Sequence, residues 1–191
     1  MTGFDRPRIE AAVAEILAAI GEDPSRPGLE TTPSRVADAY EEFFAGVGRD
    51  PVAELGDPVP LEGHEAETIL LRDIHFRSVC EHHLLPFLGV AHVAYVPGER
   101  VIGLGRIPRL IETLAARPQV QERLTEQIAE TIEQGTDARG VLVVLDAQHE
   151  CVTTRGARQT DSSTVTIASR GTLAEPSARA EIVALIGRDV A

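Results

Sequence analysis

Cys80 and His83 stand three positions apart in the run Ser78-Val79-Cys80-Glu81-His82-His83-Leu84-Leu85-Pro86, and Cys151 follows His149 by two in Gln148-His149-Glu150-Cys151. A thiolate and an imidazole at such spacing can close on one Zn²⁺, whose usual ligands are Cys sulfur and His nitrogen. A C-x-x-H alone is a weak signal. The second cysteine strengthens it, because the chain has only two cysteines and both come packaged with histidines. Cys80, His83 and Cys151 supply three protein ligands and leave a fourth position for water. That is the pattern of a catalytic zinc site, whereas structural sites are closed by four ligands. The plain alternative is two buried cysteines acting as small hydrophobes.

The elements that must position these residues can be read from periodicity. Residues 7–20 predict an amphipathic helix, with Ile9, Val13, Ile16, Leu17 and Ile20 at spacings of three and four and Gly21 as a stop. Thr32-Pro33 predicts an N-cap followed by proline at the first helical position, and Val36, Tyr40, Phe43 and Phe44 mark the buried stripe of a second helix. Residues 46–66, rich in Pro, Gly and acids, predict a long surface connection. Thr68–Phe76 and Gly89–Val96 predict strands, with Cys80 to His83 at a strand end or loop between them. Val101–Leu104 predicts a short strand. Leu110, Ile111 and Leu114 predict a helix. Pro118 opens the next, with Val120, Leu124, Ile128 and Ile132 repeating until Gly135. Val141–Leu145 predicts a buried strand, Cys151–Thr154 and Thr164–Ala168 two more, and Ala178–Ile186 a closing helix. The expected fold class is α+β, with helices on one face of a mainly antiparallel sheet. Residues 1–66 form an N-terminal helical segment and connection, and 67–191 the catalytic domain, as one structural unit.

The formal net charge of −12 argues against non-specific binding to nucleic acid or anionic membrane, both of which need a basic face. A small anionic substrate stays compatible, because a few arginines can be focused in a cleft. All eighteen basic residues are arginine, and Lys, Asn and Trp are absent, as GC-rich coding would produce. No apolar run is long enough to span a membrane and no secretory signal opens the chain, so the cytoplasm is the expected location.

Several segments, in order along the chain, together resemble the GTP cyclohydrolase I family. They are Thr32-Pro33-Ser34-Arg35-Val36-Ala37, Cys80-Glu81-His82-His83, Val101-Ile102-Gly103-Leu104, Arg117-Pro118-Gln119-Val120-Gln121-Glu122-Arg123-Leu124, His149 with Cys151, and Arg155-Gly156. The resemblance implies a tunnelling fold, in which an antiparallel sheet carries a pair of helices on one face beside N-terminal helices. It also implies a ring-shaped homodecamer with active sites between subunits. The implied reaction opens the imidazole ring of GTP at C8 on the way to tetrahydrofolate and other pterins. Formate and 7,8-dihydroneopterin triphosphate are the products. Carried over, the zinc ligands are Cys80, His83 and Cys151. His82 and His149 are the acid–base candidates, because imidazole titrates near working pH. Which of them acts first is not readable from the sequence. Glu122 holds the place of the glutamate that accepts the guanine N1–H and amino group, helped by Gln121. Arg109 and Arg155 match triphosphate contacts, Arg35 matches one reaching in from a neighbouring subunit, and Arg106 stands where the family usually has lysine. Arg158 is a weaker candidate. His64, His75 and His92 have no motif support and are expected to be structural or solvated.

The chain departs from the family pattern at Gly103-Leu104-Gly105-Arg106, where Gly-Leu-Ser-Lys is usual. The absence of lysine accounts for Arg106, whereas Gly105 removes a hydroxyl. Two other readings follow. One is a paralogue serving a specialised purine-to-pterin or deazapurine pathway; the other is a zinc-stabilised binding module without activity.

Overall fold

A computed structural model describes residues 3–63 and 67–187. His64 lies outside the described residues. The chain opens with helix α1 (Arg6–Ala19), capped by the Asp5 carboxylate accepting from the Arg8 N–H, and helix α2 (Thr32–Phe43). The cap of α2 is Thr31, one residue earlier than the Thr-Pro signal suggests, so Pro33 is the second helical residue. The two helices pack on each other. Arg6 joins them, reaching Glu10 on its own helix and Asp38 and the Ser34 carbonyl on α2.

The connection that follows is not all surface. It holds a 3₁₀ turn (Val52–Leu55), whose Leu55 is buried in the main core against Gly135, and strand β1 (Val59–Pro60). Strand β2 (Ile69–Cys80) runs four residues beyond the expected end and carries Cys80 as its last residue. Strands β3 (Pro86–Val96) and β4 (Arg100–Val101) follow. Among the described residues β4 pairs only with β1, and it stops short of Leu104, because the Gly103 carbonyl accepts from the Arg106 N–H in a turn that starts helix α3 (Arg106–Ala115).

Pro118 does not open a helix. Pro118–Gln119 forms strand β5, a short parallel partner to Val79 and Cys80, and helix α4 (Gln121–Gly135) begins only after Val120. Strand β6 (Gly140–His149) is twice the length of its apolar run. The residues Cys151–Thr154, expected as a strand, instead continue a one-turn helix α5 (Glu150–Thr153). Their β-branched side chains favour extended backbone, but the Thr154 N–H and hydroxyl both donate to the Glu150 carbonyl and close the turn. Strand β7 (Thr164–Gly171), a 3₁₀ turn (Thr172–Ala174) and helix α6 (Pro176–Ile186) complete the described chain.

The main sheet has the order β5-β2-β3-β6-β7 and is antiparallel except for the β2–β5 pair. Alternation along β6 sorts its two faces. Val141, Val143, Leu145 and Ala147 enter the core beneath α3 and α4, with Leu110, Leu114, Leu124, Ile128 and Ile132. Leu142 and Val144 face the other way, onto a smaller cluster with Leu173 and Ile182 of the C-terminal elements. The architecture is therefore α+β, with the α3–α4 pair on one face as expected and α6 adding a partial cover on the opposite one.

Candidate active site

Sheet register explains how residues about seventy positions apart meet. Ser78 of β2 pairs with Phe87 of β3, and Phe87 pairs with His149 of β6. β2 and β6 therefore run the same way and end at the same rim, with β3 between them. Cys80 lies two residues past Ser78 and Cys151 two past His149. Strands two places apart are separated by roughly 10 Å. The turn after β2 and the single turn α5 both fold back over the start of β3 and close that gap.

The result is a group of three. The ligand atoms of Cys80, His83 and Cys151 all lie within 4.8 Å of one another. Two sulfurs and one imidazole nitrogen fit zinc, and three donors leave a position open. Cys80 is buried and Cys151 half-buried against the main core. Burial pushes the Cys151 thiol up, and the adjacent Cys80 sulfur adds to the shift. A bound cation reverses that balance, since a coordinating thiol is deprotonated.

Around the group, Cys80 Sγ is 3.7 Å from His82 Nδ1, and the Arg155 guanidinium donates to His83 Nε2 at 3.1 Å. His149, half-buried at the end of β6, stacks on Phe87 with ring centroids 4.7 Å apart and planes within 6°. Burial holds its pKa below the usual histidine value, and the Glu122 carboxylate pulls it back up. Glu122 is thus near His149, exposed in the first turn of α4, where the helix dipole favours a negative charge. Gln121 is buried beside it, and its side chain is spent on internal hydrogen bonds to β6, β7 and His149.

The arginines divide. Arg155 joins the metal group directly. Arg106 packs its guanidinium across Gly56, at a positive φ where a Cβ would collide with it. Arg109 lines a separate cavity of about 590 Å³ between α2, α3 and β2, together with Glu42, His75, Arg77 and Glu112. Arg35 is exposed on α2, and Arg158 follows α5 with a φ of 51°. Among the described residues, no hydrogen bond or ion pair joins Arg35, Arg106 or Arg109 to the metal group. Of the two histidines without motif support that are described, His75 is exposed. His92 is buried and accepts the Asp73 N–H at its Nδ1, and burial lowers its pKa.

Two contributors carry little sequence signal. Arg123 forks onto both oxygens of Glu81 at 2.6 and 3.0 Å, tying the turn that bears His82 and His83 to the first turn of α4. Its place inside the Arg117–Leu124 run is the only hint. Phe87 is identified solely by its register opposite His149.

The sequence model described as GTP cyclohydrolase I matches residues 9–187. A protein of Leifsonia xyli subsp. xyli named GTP cyclohydrolase 1 is 78% identical over 187 residues, which cover 98% of each chain. Proteins of the same name from Carboxydothermus hydrogenoformans and Streptomyces griseus subsp. griseus are 53% and 50% identical, covering 96% of this chain and 95% and 91% of theirs. With its two cysteines brought to one sheet rim beside Glu122 and His149, and with matches that run almost end to end, the chain belongs to the GTP cyclohydrolase I family.

Proposed function

We infer that the chain is a GTP cyclohydrolase I, a hydrolase that opens the guanine imidazole ring of GTP at C8 and releases formate, leaving 7,8-dihydroneopterin triphosphate. The observation that carries the reading is the convergence of Cys80, His83 and Cys151 within 4.8 Å at the rim where His149 and the start of α4 also lie. The match to GTP cyclohydrolase 1 proteins at up to 78% identity supports it and does not favour a specialised paralogue.

Cys80, His83 and Cys151 are the residues to hold zinc, and zinc, when bound, lowers the pKa of water toward neutrality and supplies the hydroxide that attacks C8. The protein's own groups do the remaining work. Glu122 accepts the guanine N1–H and amino hydrogens with its two carboxylate oxygens and so sets the base against the rim. His149 and His82 move protons between water, the ring nitrogen and the ribose. Arg155, next to His83, carries a fixed positive charge for the triphosphate.

Arg106, Arg109 and Arg35 complete the phosphate site across subunits of a homo-oligomer, a decamer by resemblance. Supporting this are the lack of contact, among the described residues, between these arginines and the metal group, and the exposure of Ile16 and Ile20 on α1. No described helix is long and apolar enough to cross a membrane, and a cytoplasmic location fits the reduced thiols.

Adding GTP to the purified zinc-loaded protein, with formate and the pterin product both identified, tests the reading. No formate sinks it, and a formylated intermediate as the end product restores the specialised paralogue. Cys80→Ala and Cys151→Ala should each lose zinc by elemental analysis, and full retention in either removes that residue from the ligand set. Sedimentation should show an assembly well above a dimer. A monomer that still releases formate refutes the shared site.

A further inference from the structure

Gln121 looks, from its place beside Glu122, like a second contact for guanine. The hydrogen bonds around it give its side chain a different task. Its amide nitrogen lies 3.1 Å from the Leu145 carbonyl, 2.8 Å from the Thr164 carbonyl and 3.1 Å from Thr166 Oγ1. Carbonyl oxygens only accept, so the nitrogen and not the oxygen must face them. The threonines agree. Thr125 Oγ1 donates to the Gln121 backbone carbonyl at 2.7 Å, so in its 2.6 Å contact with Thr166 it is the acceptor. Thr166 then donates to Thr125 and keeps a lone pair for the Gln121 amide. The whole set has one consistent direction, and it is buried: Gln121 is 1% exposed.

With the nitrogen fixed, Gln121 Oε1 faces His149 Nε2 at 2.7 Å and can only accept. His149 Nε2 therefore carries a hydrogen. A neutral imidazole has one N–H, so Nδ1 holds the lone pair. Nδ1 has no hydrogen-bond partner among the described residues. Phe87, stacked on the ring, removes the freedom to tilt.

We propose that Gln121 is a positioning residue for His149: its amide oxygen holds the hydrogen on Nε2 and its contacts to β6 and β7 hold the amide, so that Nδ1 is the nitrogen left to meet substrate. This rests on the reading of His149 as an acid–base residue. Removing the outer partner of a metal-ligating histidine typically costs about 10- to 100-fold, and a loss of that order is expected for the analogous hold on His149.

The test uses the zinc-loaded full chain. Gln121→Met keeps the volume and removes the acceptor. Its kcat should fall by about 10- to 100-fold, while the KM for GTP changes by less than about threefold, because a group that does not touch the base contributes no ground-state binding. Nitrogen NMR of ¹⁵N-histidine-labelled protein should show the His149 hydrogen on Nε2 in the parent and a mixture of tautomers in Gln121→Met. A raised KM with kcat retained, or a parent spectrum with the hydrogen on Nδ1, would each overturn the proposal. His149→Ala separates the two layers. Full turnover in that variant removes the acid–base reading, and the spectrum still decides what Gln121 holds.

Discussion

Helices α1 and α4 are written with the same spacing and live in opposite surroundings. Along α4, Leu124, Ile128 and Ile132 are all 0% exposed, sealed between α3, β6 and β7. Along α1, Val13 is buried, but Ile16 is 59% and Ile20 69% exposed. A period of three and four identifies an apolar face and says nothing about what covers it. In α4 the cover is the chain's own sheet, and the helix holds Gln121 and Glu122 on a rigid base. The α1–α2 pair meets the rest of the chain chiefly through the end of α2, where Arg77 pairs with Glu42 and lies over the Phe43 ring, and Arg117 donates to the Gly46 and Arg49 carbonyls.

The largest effect that separates the two helices is a truncation in α4. Ile128→Ala should destabilise by about 2–5 kcal/mol, because the surrounding sheet and helices cannot close over the lost methyl groups. Denaturant midpoints at fixed protein concentration measure this. A loss of under about 1 kcal/mol would mean that α4 is no better packed than α1.

Glu122→Gln comes next, on the exposed side of the same helix. A carboxylate offers two acceptors to the guanine N1–H and amino group, whereas an amide offers one and turns a donor toward the other. Losing one bond to a charged group costs roughly 1.5–3 kcal/mol, or about 10- to 100-fold in kcat/KM for GTP. Bound zinc should be unchanged. The parent should prefer GTP to ITP and use ATP near background, since adenine turns a lone pair toward the carboxylate. A variant that uses GTP as well as the parent would make Glu122 a solvated helix residue.

The same contrast explains what could be read before the fold was known. The α4 stripe, the β6 run and the class of the fold follow from periodicity, because that signal comes from contacts within one chain. Cys80, His83 and Cys151 stand out because few residue types bind zinc. What joins them was less legible. Nothing in Val152-Thr153-Thr154 announces a helical turn, and that turn brings Cys151 back toward Cys80. Pro118 is a common first helical residue, yet it pairs with Val79, a choice made by the neighbouring strand. The direction of the Gln121 amide depends on carbonyls of Leu145 and Thr164, which only sheet register brings together.

A double change in α1, Ile16→Ala with Ile20→Ala, reverses the logic of the α4 truncation. These side chains lie largely in water within the chain, so the stability of an isolated subunit should move by no more than about 0.5 kcal/mol. If a second copy covers the face, as in the proposed ring, sedimentation should show smaller species while the subunit stays folded. An unchanged assembly would mean that this face is not what the copies share.

A small effect of the opposite sign is expected at Gly105, where the sheet-backed part of the molecule is as open as α1. Gly105 precedes α3 with φ −72° and ψ −7°, a conformation any residue adopts, and a Cβ there meets nothing within 4 Å among the described residues. Gly105→Ser therefore introduces neither strain nor collision. It reduces the freedom of the unfolded chain, a gain of about 0.4–1 kcal/mol at a compatible site. Its hydroxyl can cap α3 only through the Ile107 N–H, because Pro108 at the third helical position has none. For a chain of this size the melting temperature should rise by about 1–4 °C, with kcat/KM for GTP equal to the parent's or higher. A large fall in kcat/KM beside that rise would show the subunit sound and the serine in the way, placing substrate or a second copy against the Gly105 backbone.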